Sequence, residues 1–156
     1  MAAMGLRAAR LAATELARAF DRPDLNRLVG DGTRTNVEQD AEYLIINSLR
    51  KTYPDHQIGA GGRAAEFTWW IKAVDGSLNF TRNLPHFAVV VACLNGARTE
   101  HAIVIDPMRN EEFVASRGQG CRMSGRQLLR VSNQSKLDGA LIAIPSAGSG
   151  RLNTLL

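Results

Sequence analysis

The sequence of 156 residues predicts an α+β fold in which two N-terminal helices pack on an antiparallel sheet. Apolar residues recur at helical spacing in the first third, whereas the remainder is a succession of short apolar runs separated by Gly-containing turns, which is typical of strands. Hydrophobic residues make up 45% and charged residues 22%, as in an ordinary globular domain. We expect one α+β domain over residues 1–147 and a disordered tail, 148–156, that has no packing pattern.

The first helix is predicted over residues 3–20, because its apolar positions follow helical spacing and Pro23 ends it. A polar loop is expected over 23–34. The second helix begins with a capping box, in which Thr35 is the N-cap and Glu38 follows three residues on. The capping box alone explains why a glutamate stands at position 38. Pro54 lies just past the end of the helix.

The strands are predicted from period-two alternation or short apolar runs between turns. Asn95-Gly96 is a strong signal for a two-residue hairpin turn after the apolar run 87–94. The predicted strands span 67–71, 87–94, 101–106, 112–116, 121–123, 128–131 and 140–144. Runs of strands after two helices favour segregated helices on one antiparallel sheet.

Composition restricts the function classes only loosely. The net charge of +4 comes mostly from scattered arginines, so a solvated charged surface is favoured over a nucleic-acid or phosphate-binding face. Cys93 and Cys121 have neither metal nor redox spacing, and Cys93 is expected to be a small buried residue. No apolar stretch reaches transmembrane length and no signal-peptide core is present, so we expect a cytoplasmic protein without membrane contact.

A chemically distinctive turn follows the strand at 67–71. It carries Asp75, Gly76 and Ser77, that is, a carboxylate, a glycine and a hydroxyl at the end of a strand. A glycine lets backbone N–H groups approach an anion closely, and the serine adds a donor. This arrangement is typical of a metal or phosphate site.

The surrounding stretch, 69–80, resembles the Asp-Pro-hydrophobic-Asp-Gly-Thr motif of the inositol monophosphatase family. Further stretches resemble the bacterial branch of that family in matching order, namely 35–38, 53–56, 79–80, 84–89, 106–111 and 117–120. The resemblance implies the N-terminal half of the family fold, Mg²⁺-dependent hydrolysis of an inositol or sugar phosphate, and a homodimer. In the bacterial branch it also implies a role in transcription antitermination, with RNA polymerase or transcription factors as partners.

The chain departs from the family pattern at its metal ligands. Lys72 stands where the family has the first Asp of the motif, and Gly61 and Gly62 stand where it has a Glu pair. A catalytic Asp is matched by Gly32, with Asp31 adjacent as a partial substitute. The resemblance then leaves the Asp75 carboxylate and the Val74 backbone carbonyl as metal ligands.

These replacements predict a weak or lost Mg²⁺ site. Mg²⁺ requires octahedral oxygen coordination and dehydrates reluctantly, so two ligands hold it poorly. At about 4 Å, repulsion between Lys72 and a single positive charge is on the order of 4 kcal/mol at an effective dielectric near 20. Lys72 is expected either to pair with Asp75 or to bind a phosphate together with Asp75, Gly76 and Ser77.

The sequence is therefore identified as a degenerate, truncated member of the family with impaired or lost phosphatase activity. The alternative is a non-catalytic binding protein, for example a transcription antitermination partner. The family's second α/β layer, which contributes another metal-binding Asp, is expected to be missing. One sheet face would then lack a cover, which favours dimerisation or poor folding.

Overall fold

A computed structural model describes residues 1–30, 34–59 and 65–142. It confirms the α+β fold: helices α1 (Ala2–Phe20) and α2 (Asn36–Thr52) pack against each other and on one face of a seven-stranded sheet. Thr35 caps α2 as predicted. A short helix, α3 (Ser77–Thr81), was not anticipated. Within the described ranges, no helix is long and apolar enough to cross a membrane.

Small residues let α1 approach its neighbours closely. Ala8, Ala9 and Ala12 on its inner side are fully buried. A Cβ built on Gly5 would lie 3.0 Å from both Trp69 Cζ3 and Ile103 Cδ1. Glycine destabilises a helix interior by up to about 1 kcal/mol relative to alanine, and its presence here is explained by the indole packed against it.

The large sheet is a meander in which strands β3 to β9 are neighbours in chain order. Every pairing is antiparallel, as predicted, except the parallel pairing of β3 with β4. The strands are β3 (Gln57–Ile58), β4 (Phe67–Asp75), β5 (Ala88–Asn95), β6 (Arg98–Asp106), β7 (Glu111–Ser116), β8 (Gly120–Met123) and β9 (Gln127–Leu129).

Some boundaries differ from the prediction. The hairpin after β5 turns at Gly96-Ala97, one residue later than expected, and Gly96 takes a φ of +55° there. The predicted loop at 23–34 contains a 3₁₀ turn (Pro23–Leu25) and a small hairpin of β1 (Leu28–Val29) and β2 (Arg34–Thr35). Residues 140–142 do not form the expected strand, and 143–144 and the tail 148–156 lie outside the described residues.

The core lies between the helices and the inner face of β4 to β6. Val89, Val91, Cys93 and Ile103 contribute its sheet side and are fully buried. Cys93 is buried as predicted, and burial raises the pKa of its thiol to about 11, which disfavours the reactive thiolate. On the opposite face Trp70 is 49% exposed, and its neighbours there are largely apolar and half-buried, among them Val90, Val104 and Phe113.

One bidentate ion pair joins α1 to strand β7. Arg10 Nε and Nη2 each donate to a Glu112 carboxylate oxygen at 2.6 Å. The hydrogen bond from Arg10 holds the pKa of the Glu112 carboxyl below its usual value. Because Arg10 is more than half exposed, solvent screens the pair, and its main effect is to fix the orientation of α1.

Candidate functional site

The end of β4 carries a β-bulge that shapes the candidate site. Lys72 pairs with Val90 and Asp75 with Ala88, so Ala73 and Val74 together oppose a single residue of β5. Both bulged residues are buried, whereas Lys72 and Asp75 are exposed. A bulge re-aims side chains and often lies beside a functional site.

Gly76 allows the backbone conformation that this turn requires. It adopts a φ of +95°, and a Cβ at this position would lie 2.9 Å from the carbonyl oxygen of His86. Any other residue would be strained in conformation and would also clash with the segment that leads into β5. The glycine of the motif is therefore required for the chain to turn from β4 into α3.

Ser77, the hydroxyl of the motif, contacts a residue that the sequence analysis assigned to a helix cap. Its Oγ donates to Glu38 Oε2 at 2.8 Å and lies 3.2 Å from the Val74 carbonyl oxygen. This hydrogen bond joins Ser77, just after β4, to a helix residue 39 positions earlier in the sequence. The Val74 carbonyl, expected as a metal ligand, is part of this arrangement.

Only half of the predicted capping box is formed. Thr35 Oγ1 accepts a hydrogen bond from the Glu38 backbone N–H at 3.2 Å, as expected for the cap. The Glu38 side chain does not return this bond and instead binds Ser77. Its other oxygen, Oε1, is buried and has no hydrogen-bond partner in the described part of the chain. Buried carboxylate oxygens without partners are rare and call for an explanation.

Glu38 lines a cavity of about 210 Å³ at the end of β4. Arg34 Nη2 binds Glu42 Oε2 at 2.5 Å, and Arg34 Nε lies 3.9 Å from Glu38 Oε2. Lys72 lines the same cavity. Two carboxylates thus stand beside two cationic side chains, so the formal charges of this group sum to zero. Arg34 and Glu42 were missed by the sequence analysis. Glu42 lies one helical turn beyond Glu38, but Arg34 is in β2, where helical spacing does not place it.

In the described ranges, no group of three or more His, Cys, Asp or Glu side chains is placed to hold a metal ion. A divalent cation would leave the balanced cavity with excess positive charge. The sequence positions named earlier as altered ligands, Gly32, Gly61 and Gly62, and the adjacent Asp31 lie outside the described residues.

The expected Lys72–Asp75 ion pair is not formed, since no nitrogen–oxygen distance of 4 Å or less joins these two described residues. Their partners on β5, Val90 and Ala88, are two residues apart, so the bulge places Lys72 and Asp75 on the same face. Both side chains are exposed, and an ion pair in solvent gains little. Of the predicted site residues, Lys72 and Val74 line the cavity and Ser77 binds its Glu38. Asp75 and Gly76 follow directly in the chain.

Comparisons with known proteins agree with this architecture. The family model for the inositol monophosphatase family matches residues 1–155. The chain is 42% identical over 150 residues to the Nus factor SuhB of Pseudomonas aeruginosa, covering 89% of this chain and 55% of that protein. It is 41% identical over 149 residues to the Nus factor SuhB of Escherichia coli, covering 90% and 55%.

Solved structures show the same fold. The extragenic suppressor protein SuhB of Bartonella henselae superposes with a TM-score of 0.75 at 23% identity, covering 84% of this chain and 54% of that one. The inositol monophosphatase of Anabaena superposes with a TM-score of 0.70 at 23% identity, covering 85% and 48%. The chain thus spans about half the length of the proteins it matches. On its sequence and fold together, the chain belongs to the inositol monophosphatase family.

Proposed function

We propose that this chain binds phosphate esters at the end of β4 but that its Mg²⁺-dependent phosphatase activity is impaired or lost. The observation that carries the loss of Mg²⁺ chemistry is the charge balance inside the cavity, where Arg34 and Lys72 stand beside Glu38 and Glu42. A divalent cation placed among these groups would be repelled by both Arg34 and Lys72.

The proposed ligand is an inositol or sugar phosphate, held by Lys72, Asp75, Gly76 and Ser77. Lys72 supplies a point charge for the phosphate. The Ser77 hydroxyl already has an acceptor in Glu38, so a phosphate would have to compete for that proton. Val74 and Asp75 remain the proposed ligands for any residual Mg²⁺, and two oxygen ligands predict weak binding.

The test is the variant Lys72→Asp, which replaces the cation by the carboxylate of the family motif. We expect the variant to bind Mg²⁺ at least about tenfold more tightly than the wild-type chain, a change of 1.4 kcal/mol, because a repulsive charge becomes an attractive one. Calorimetric Mg²⁺ titration measures this affinity, and release of inorganic phosphate from inositol 1-phosphate measures turnover in the same samples.

Lys136→Asp is the matched control, since it makes the same charge change on an exposed residue far along the chain from the cavity. It should leave Mg²⁺ affinity unchanged. Rapid Mg²⁺-dependent hydrolysis by the wild-type chain, unimproved by Lys72→Asp, would contradict the proposal.

A second candidate function is a non-catalytic role in transcription antitermination. It is favoured by the 42% identity to a protein named as a Nus factor. RNA polymerase or transcription factors are the proposed partners. Capture of RNA polymerase by the tagged chain, equal for the wild type and Lys72→Asp, would support this role independently of phosphatase chemistry. No capture by either would count against it.

Three smaller expectations belong to the same proposal. The region 1–147 forms the family domain, and the chain functions in the cytoplasm. The apolar sheet face around Trp70 and Phe113 supports a homodimer.

A further inference from the structure

The helix layer ends before the sheet does. A row of directly paired residues crosses the inner face from β5 to β9, and it comprises Val91, Ile103, Val114, Arg122 and Leu128. Directly paired residues lie on the same face of a sheet. Val91 and Ile103 are fully buried under the helices, Val114 is half-buried, and Arg122 and Leu128 are exposed. The inner face therefore loses its helical cover at β8 and β9.

The width of this uncovered strip matches one further helix. Helix α1 packs on β5, β6 and β7, and α2 packs on β4. A helix with its side chains is about 10–12 Å wide and neighbouring strands are about 4.8 Å apart, so two helices cover about four or five strands. Strands β8 and β9 present roughly 10 Å more of inner face beside α1. We call the space between α1 and these two strands the basic trough, and its residues are Arg7, Arg10, Val114, Arg122, Arg126 and Leu128.

Arginines outnumber carboxylates in the basic trough. Arg10 is 57% exposed and its guanidinium donates to Glu112. Arg7 precedes Arg10 by three residues on α1, so the two side chains lie on one side of the helix. Arg122 is exposed on β8, and Arg126 lies in the turn that donates a backbone N–H to the Glu112 carbonyl oxygen at 2.6 Å. Within the described part of the chain, Arg7, Arg122 and Arg126 form no ion pair, so their charges are available to a partner.

We propose that the basic trough binds an amphipathic helix of a partner protein, and that the polar side of this helix is acidic. The partner helix lies beside α1 across β8 and β9, where its apolar side chains pack on Val114 and Leu128 and its carboxylates bind the arginines. Arginine binds a carboxylate with two parallel N–H donors, as Arg10 already does with Glu112. Strands β5, β6 and β7 separate the trough from the cavity at β4, so this interaction is independent of phosphate or metal binding.

A nucleic acid is the other polyanion that a basic surface attracts, and the composition of the trough disfavours it. Proteins that bind single-stranded nucleic acid add aromatic side chains on which the bases stack. The side chains that form the trough are aliphatic or basic, and Phe113, the aromatic residue of β7, lies on the opposite face of that strand from Val114. Val114 and Leu128 offer an aliphatic floor instead, which suits the apolar side of an amphipathic helix.

The probe for this interaction is a synthetic peptide of about 14 residues, roughly 21 Å long as a helix, with leucines on one side and glutamates on the other. A side-chain lactam holds it helical, because a free peptide of this length is only marginally helical. Fluorescence anisotropy of the labelled peptide measures its binding to the full chain. We expect binding that weakens as the salt concentration rises. A matched peptide with lysine in place of each glutamate should not bind.

Two pairs of variants locate the binding surface. Arg122→Glu should weaken binding of the acidic peptide at least about tenfold. Arg50→Glu is its control, since it makes the same charge change at an exposed residue of α2, which packs on β4. Leu128→Ala should also weaken binding, whereas Leu84→Ala, at an exposed leucine before β5, should not. Equal affinities of the wild type and Arg122→Glu, or no binding of the acidic peptide by the wild type, would overturn the proposal.

A measurement on the unmodified chain keeps the test valid if a variant fails to fold. On titration with the acidic peptide, the backbone amide resonances of the ¹⁵N-labelled chain should shift at the start of α1 and in β8 and β9. Shifts confined to the opposite sheet face around Trp70 would overturn the proposal. An oligouridylate of about 14 nucleotides is the competing probe. Tighter binding of this RNA than of the peptide, at the same residues, would overturn the helical partner and assign the trough to nucleic acid.

Discussion

The two ends of helix α2 both contact β4, yet they are built in opposite ways. At the C-terminal end, Trp69, His56 and Tyr53 form a closed cluster in which the buried indole N–H is matched by an acceptor. At the N-terminal end, Glu38 is almost fully buried and one of its oxygens is unmatched. The first arrangement stabilises the fold, whereas the second retains an unsatisfied group beside a cavity.

This difference indicates that the C-terminal end of α2 serves stability, whereas the N-terminal end is the candidate for a binding function. Unsatisfied buried polar groups persist where a protein uses them, because elsewhere they only destabilise the folded state. The N-terminal end also contains two cationic side chains, Arg34 and Lys72, of which Lys72 departs from the family motif. In the aromatic cluster at the other end, the buried indole N–H has its acceptor. The two ends should therefore respond differently to substitution.

The largest expected effect is at the closed end. Trp69→Ala should lower the free energy of unfolding by about 3–5 kcal/mol, because it leaves a cavity in the core and removes the hydrogen bond to His56. Trp70→Ala, the adjacent control, should have a much smaller effect, since Trp70 is 49% exposed on the opposite face. Urea unfolding monitored by circular dichroism measures both. Equal losses would show that the aromatic cluster is not the structural anchor.

A smaller effect is expected at the N-terminal end. Thr35→Ala should lower the free energy of unfolding by about 1 kcal/mol, because the Glu38 backbone N–H loses its cap. Thr35→Ser keeps the acceptor oxygen and should retain most of the stability. The same urea titration compares them. If the serine variant lost as much as the alanine variant, methyl packing of this buried residue, and not capping, would explain the loss.

Much of the fold was predictable because its signals are local. The capping signal at Thr35 is contained in four residues, and the apolar runs of β5 and β6 are each contained in one short stretch. The two-residue strands β1 and β2 are too short to show a periodicity. The prediction ended β4 at Ile71 because the bulge buries two consecutive residues and breaks the alternation.

The site was only partly predictable because its key contact is distant in sequence. The turn 75–77 was found from its residue types. Glu38 was assigned to the cap, since the capping signature reads the same whether the side chain turns back to the helix or reaches Ser77. The Lys72–Asp75 pair, one of two alternatives for Lys72, is not formed, and its absence could not be predicted because both side chains are exposed, where an ion pair gains little.

The most direct test of the account is a thermal melt of the purified chain in inositol 1-phosphate, with and without millimolar Mg²⁺. A ligand present at 100 times its Kd stabilises the folded state by about 2.7 kcal/mol, so a working metal site would raise the Tm clearly. We expect a cooperative melt whose Tm does not respond to Mg²⁺, because Lys72 and Arg34 already balance the carboxylates of the cavity. A clear Mg²⁺-dependent rise in Tm would contradict this and would show that a functional metal site persists.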